Sequence, residues 1–216
     1  MSYLAFCQAI NDLGTGTKSF AIDHWKGDAH AGFYKNRVFE ELTQINNQCY
    51  GQFSTLLRMD FDAAASHFAP GSVDLLHIDG LHTYEAVRHD FETWSSKLAD
   101  PAIVLFHDTC VFDRNFGVHA YWSEVSTRFP SFGFHHGYGL GVLGIGRDFA
   151  NFPEVQALFN AASDERDTEF VRLIFAQLGG RLETAEKLKR YTSSPVIGFV
   201  KKLLDLRMTD ESSAGE

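Results

Sequence analysis

"DLLHIDGLHTYEAVRHDF", residues 74–91, decides how this chain is read. An apolar run stops at Asp79 and Gly80, His82 follows, and a second pattern begins. In that pattern Tyr84, Val87, Phe91, Trp94 and Leu98 step by three and four residues, which puts them on one face of a helix. The run before it, "SVDLLHID", is almost continuously apolar and predicts a strand buried on both faces. A strand leading straight into a helix is half of a βαβ unit.

The same alternation extends outward. "SYLAFCQAIND" has helical spacing and ends at "GTGT". "KSFAIDHW" predicts a strand ending on Asp23, residues 36–48 a helix, "FSTLLRM" a strand and "FDAAASHF" a helix. Downstream, "AIVLFHD" predicts a second buried strand that stops on a carboxylate, and "VHAYWSEVSTRF" a helix. "SFGFHHGYGLGVLGIG" predicts two strands around a Gly-rich turn, a hairpin. Alternation of this kind predicts an α/β fold with a mostly parallel sheet and helices on both faces. Beyond Gly146 the pattern becomes purely helical: "FPEVQALFNAAS", "EFVRLIFAQLG", "RLETAEKLKRY" and "PVIGFVKKLLDLRM". The expected division is an α/β domain over 1–147, a helical extension over 148–208 and a disordered tail over 209–216.

Composition narrows the function. With 44% hydrophobic and 22% charged residues in 216, the chain has enough apolar material for one good-sized domain. A net charge of −9 argues against nucleic acid or an anionic membrane surface as the main partner. The basic cluster Lys187, Lys189, Arg190, Lys201 and Lys202 reads as a solvated helix face. Three widely spaced cysteines without a CxxC fit a reducing compartment and no zinc knuckle. "MSYLAFCQAI" is a poor signal peptide, and no apolar run reaches the length of a membrane span, so the expected location is the cytoplasm.

Ligands of open parallel sheets bind at the carboxyl ends of the strands. Three strands here end on acids: Asp23, Asp79 and Asp108, the last preceded by His107. Asp23 could accept hydrogen bonds from the ribose hydroxyls of a nucleotide-like cofactor, or could simply close a turn. Asp79, His107 and Asp108 on neighbouring strands would suit a hard cation, Mg²⁺ by oxygen preference, with Mn²⁺ or Fe²⁺ left open by the imidazole. The alternative is that both acids cap the segments that follow and His107 packs in the core. His82, on the same rim, is a usable general base or an ordinary loop histidine. Among the other histidines, His24 and His30 lie in a long segment after Asp23 that could lid the site.

Taken together, "VDLLHIDGLHTYEAVRHDFETW", "AIVLFHDTCV", "FGV", "AIDHWKGDAHAGFY" and "GYGLGVLGIG" resemble the class I S-adenosylmethionine-dependent methyltransferases. Within these they resemble a branch associated with glycosyltransferases and surface-polysaccharide genes. The resemblance runs from about residue 2 to residue 146 and implies a Rossmann-like sheet with a C-terminal antiparallel hairpin. It implies S-adenosylmethionine as cofactor, contacted by Ser2, Asp23, Asp60 and Asp79. It implies Mg²⁺ (or Mn²⁺) at Asp79, His107 and Asp108, and His82 as the base that deprotonates a sugar hydroxyl. Family members open with a strand and a glycine-rich loop, roughly "ExGxxxGxS", whereas this chain opens at "MSYLAF" with Ser2 matching the loop's end. A sheet without that strand has two unpaired edges, so the expectation is weak or no cofactor binding by this chain.

The leading expectation is thus a divalent-cation-assisted sugar O-methyltransferase. Its partners would be a small-molecule or glycan substrate, with a homo-oligomer or an associated glycosyltransferase as protein contacts. The competing expectations are a non-catalytic module of a glycan-assembly system and a metal-dependent oxygenase-like relative.

Overall fold

The structure is a computed structural model, described here for residues 2–28, 32–113, 115–146 and 148–192. The elements follow the order helix α1 (Ser2–Leu13), strands β1 (Ser19–Asp23), β2 (Gly27–Asp28) and β3 (Gly32–Phe33), helix α2 (Asn36–Cys49), strand β4 (Ser54–Arg58) and helix α3 (Phe61–Ala65). Next come β5 (Val73–Ile78), α4 (Tyr84–Ser95), β6 (Leu98–His107), α5 (Val118–Val125), β7 (Ser131–Phe134), β8 (Leu140–Ile145), α6 (Pro153–Ala161) and α7 (Glu165–Thr192). The α/β alternation, the C-terminal hairpin and the helical extension expected from the sequence are all present.

Among the described residues the strands form three separate sheets: two larger ones and the two-stranded antiparallel ladder β2–β3. β1 pairs in parallel with β4, Asp23 opposite Arg58. β5, β6, β8 and β7 form the other larger sheet in that order, with β5 and β6 parallel. β8 runs antiparallel to both β6 and β7. Among the described residues, β1 and β5 therefore each have a neighbour on one side only.

This arrangement corrects the reading of β5 as buried on both faces. Leu75 is 49% exposed and Asp74 is exposed as well. An unpaired edge lets water reach side chains that an interior strand would hide. β6 has the expected character, with Val104 and Phe106 fully buried. The short ladder β2–β3 carries too little apolar alternation to be visible in the sequence.

The main core lies between the second sheet and helices α4 and α5. It joins Ile78, Val104, Phe106 and Leu143 to Val87, Phe91, Val118, Tyr121 and Val125. The α4 residues in it are those whose spacing marked the helix in the sequence. Thr83 starts α4 as an N-cap, its hydroxyl accepting from the Ala86 N–H at 3.2 Å. A second cluster, Ala64, Ala65 and Trp94, gathers Ile22 from β1 and Leu76 from β5. The ring series Phe20–Phe68–Trp94, at 5.0 Å per step, ties the two sheets together on that side. α1 links them as well: Phe6 packs on His77 of β5 at 5.6 Å, and the Tyr3 hydroxyl lies 2.6 Å from that of Ser54 on β4.

The chain separates into two compact units, Met1–Ala162 and Ser163–Glu216. The first extends past the expected boundary at 147 because α6 packs Phe159 against Phe149, ring centroids 5.2 Å apart. In the second, the two expected helices around Gly179 and Gly180 are one continuous helix, α7. Two consecutive glycines weaken a helix without necessarily ending it. The expected helix from Pro195, the tail over 209–216, Lys201 and Lys202 lie outside the described residues, as does His30. No helix among the described residues is long and apolar enough to cross a membrane.

Candidate active site

β5 and β6 are parallel neighbours, Ile78 opposite Phe106, so the residues just beyond them emerge side by side. Those residues are Asp79 from β5 and His107 and Asp108 from β6. Asp108 has a left-handed backbone, φ 59°, unusual for a residue with a side chain. Strain of that kind persists where the surroundings over-determine it, and it gathers at functional sites. Asp108 is also one of few buried charged residues among those described.

His82 completes the group. Its Nε2 lies 3.1 Å from Asp108 Oδ2 and 3.7 Å from Asp79 Oδ1. His107 Nδ1 lies 3.3 Å from Asp79 Oδ1 and 2.9 Å from Asp108 Oδ1. That nitrogen is buried, and in neither direction does its geometry make a hydrogen bond. Asp79, His82 and Asp108 each offer a ligand atom within 4.8 Å of the others. Two carboxylates and the His82 imidazole thus face one point, with His107 against both acids, and such a donor set would suit a divalent cation with mixed oxygen and nitrogen preference. The unsatisfied His107 nitrogen between two acids fits such an ion. Burial pushes the Asp79 carboxyl up, but the imidazoles of His82, His107 and His77 more than offset this and hold it below its ordinary value. Burial, partly countered by Asp79, lowers His77.

The support of His82 was not assigned from the sequence. Phe116 stacks on its ring, centroids 4.6 Å apart and planes 14° from parallel. The Gly117 N–H donates to the His82 carbonyl at 2.7 Å. Gly117 must be glycine, since a Cβ there would fall 2.2 Å from the Tyr84 nitrogen. The segment "FGV" at 116–118 belonged to the recognisable pattern, but nothing in its composition pointed to a clamp on a histidine. Gly80, in turn, serves by close approach, because a Cβ would meet the Phe61 ring at 2.6 Å.

The residues expected to hold a cofactor lie mainly on the other sheet. Asp23 ends β1, and its Oδ1 accepts from the Trp25 N–H at 2.9 Å, closing a turn. The turn uses one carboxylate oxygen; a ribose can be held by the other. Asp60 sits at the N-cap position of α3 without making a side-chain capping bond, so its carboxylate is not committed to the helix. Ser2 is exposed at the start of α1. Parallel pairing of β1 and β4 puts Asp23 and Asp60 on one rim, a placement that fits a nucleoside. His24, the other residue considered for a lid, has its Nδ1 3.1 Å from the Lys26 N–H.

Comparison with known proteins gives three findings. A family model described as a methyltransferase domain matches residues 1–109. An uncharacterized protein of Sinorhizobium fredii is 45% identical over 149 residues, 69% of this chain but 16% of that protein, so the chain spans about a sixth of that relative's length. Among solved structures, a Staphylococcus aureus protein assigned as a caffeoyl-CoA O-methyltransferase aligns at 11% identity and TM-score 0.48, over 67% of this chain and 83% of its own. A methyltransferase from Geobacter sulfurreducens aligns at 14% identity and TM-score 0.43, over 59% of this chain and 57% of its own. At such scores the fold is better read from the chain's own strands, and the family from the matched domain. The match over residues 1–109 takes in β1, β4, β5 and β6 with the acids that end them, and the chain belongs to the methyltransferase-domain family, whose members transfer a methyl group from S-adenosylmethionine.

Proposed function

We propose that this chain belongs to an O-methyltransferase that methylates a sugar hydroxyl during glycan assembly in the cytoplasm, with a divalent cation at the strand ends and a glycosyltransferase as the expected associate. The convergence of Asp79, His82, His107 and Asp108 supports this reading. Asp23 and Asp60 would hold the nucleoside of S-adenosylmethionine, with Ser2 and Asp79 as further contacts. Asp79, Asp108 and His107 would hold Mg²⁺ or Mn²⁺. When bound, the cation lowers the pKa of a hydroxyl and the cofactor supplies an electrophilic methyl group.

The remaining work falls to the chain. A sugar hydroxyl attacks only as it loses its proton, which needs a base within hydrogen-bond reach. His82 Nε2 faces the two carboxylates, where such a hydroxyl would be presented. Phe116 and Gly117 hold the imidazole in place, so it need not be oriented during the reaction. A second assignment, His82 as a cation ligand in place of His107, is favoured by the common 4.8 Å span of Asp79, His82 and Asp108. A non-catalytic role is favoured by the edges of β1 and β5, which have no ladder partner among the described residues and leave the acids on two separate sheets.

The test uses methyl-labelled S-adenosylmethionine, a glycoside acceptor and Mg²⁺ or Mn²⁺. Label should move to the acceptor, cease with excess chelator and return with added cation. Transfer that continues in excess chelator would remove the cation from the reading. Absence of any thermal shift with S-adenosylhomocysteine, together with no transfer, would favour the non-catalytic module.

A further inference from the structure

Helix α7 carries a row of apolar side chains that face water. Phe170 is 62% exposed, Ile174 40%, Leu178 48% and Leu182 74%. They recur every fourth residue and so form one ridge along the helix. The ion pairs of α7 lie on its opposite face, with Arg172 Nη1 2.8 Å from Glu169 Oε1 and Lys187 Nζ 2.6 Å from Glu183 Oε1. Phe175, beside the ridge, already has a contact of its own. An exposed apolar row of this length costs free energy in water that a covering surface recovers.

The continuation of the chain is too short to cover the whole row as a helix. At a rise of about 1.5 Å per residue, Ile174 stands roughly 27 Å and Phe170 roughly 33 Å from the end of α7 at Thr192. The apolar sequence that follows, residues 195–208, spans about 21 Å as a helix. Folded back from Thr192, it would end short of Ile174.

Charge favours a second copy. Residues 164–169 hold four acids and one base, and residues 181–190 four bases and two acids. A second α7 laid antiparallel sets each acidic end beside a basic end, whereas a parallel copy sets like beside like. The ridge itself reads the same in both directions. Asp167 stands three residues before Phe170 and Arg181 three after Leu178, with Ile174 midway, and steps of three and four share a helix face. An antiparallel pair centred on Ile174 puts Phe170 against Leu178 of the second copy and Asp167 against its Arg181. That is the self-complementarity a two-fold interface requires.

We propose that this ridge is a homodimer surface, on which two copies of the chain pair antiparallel through α7 about a two-fold axis at Ile174. The pairing is independent of the methyl-transfer chemistry and would join two methyltransferase domains in one assembly.

Sedimentation equilibrium on the full chain tests the pairing. The mass should move from one chain toward two as concentration rises. Ile174→Ala should weaken association about 10-fold or more, because the axis makes the change act in both copies. Asp167→Arg and Arg181→Asp should each weaken it about 3- to 10-fold, and the two together in one chain should restore it. Leu13→Ala, which removes an exposed apolar side chain of α1, should leave it unchanged. Ile174, Asp167 and Arg181 are all exposed, so a circular-dichroism melt should show the variants folded. A single-chain mass at every concentration up to about 1 mM would overturn the dimer and leave the ridge to another part of this chain or to a different protein. A dimer that Ile174→Ala leaves intact would overturn the assignment of the surface. A dimer weakened by Ile174→Ala but indifferent to both charge reversals would overturn the antiparallel pairing.

Discussion

Asp90 on α4 should make the folded chain less stable at neutral pH than its asparagine counterpart. Burial pushes the carboxyl from an ordinary 3.8 up to about 6; His89 pulls it down and Asp62 pushes it further up. Those two neighbours face each other, with His89 Nε2 2.9 Å from Asp62 Oδ1. The folded chain thus binds the Asp90 proton more tightly than the unfolded chain does. The penalty is absent below the unfolded value of 3.8, grows as pH rises to about 6, and is complete above that. At 1.36 kcal/mol per pH unit the interval sets an upper figure of about 3 kcal/mol. The side chain is only partly buried and water screens it, so roughly 1–2 kcal/mol is the expected effect. Asp90→Asn keeps the shape and removes the charge. Urea unfolding at about pH 7.5 should show the variant more stable by roughly 1–2 kcal/mol, with the difference closing near pH 4 as the wild-type carboxyl takes its proton. A less stable variant at pH 7.5, or a difference that does not change with pH, would refute the account.

His82→Ala should lower the turnover of methyl transfer by about 10²–10⁴-fold while S-adenosylhomocysteine binding, followed by calorimetry, stays close to wild type. Near-normal turnover would place the base elsewhere. Gly117→Ala would drive a Cβ into the Tyr84 backbone, and should cost about 1–3 kcal/mol of stability, read as a lower thermal midpoint. An unchanged midpoint would show that the α4–α5 contact yields more easily than its geometry implies.

Much of this arrangement is written in local patterns. The three- and four-residue steps from Tyr84 to Trp94 define α4; Val87 and Phe91 of that series fill the main core, Tyr84 packs against it, and Trp94 joins the second cluster. The acids Asp79 and Asp108 were legible because each closes an apolar run, and parallel pairing of those runs brings them together. The roles of Phe116 and Gly117 were not legible, because a ring stacked on His82 and a backbone bond to its carbonyl depend on a contact across more than thirty positions of sequence. The exposure of β5 was misjudged for a related reason. Apolar content describes the strand itself, whereas burial depends on whether a neighbour lies on each side. The continuity of α7 through Gly179 and Gly180 shows local breaker signals giving way to the helix on either side.

The seam between β1 and β5 has a consequence for how the domain moves. A continuous sheet transmits order from strand to strand through its backbone ladder, so its strands resist opening together. Among the described residues the ladder stops at this seam, and side chains such as Phe6, His77, Phe20 and Phe68 carry the coupling instead. Amide hydrogen exchange should therefore resolve two cooperative blocks, with β1 and β4 opening at a lower free energy than the four-stranded block. Asp23 and Asp60 belong to the first block, and Asp79, His82, His107 and Asp108 to the second. Whatever stiffens the seam therefore also fixes how far Asp23 and Asp60 stand from Asp79 and Asp108, because no backbone ladder among the described residues holds that spacing.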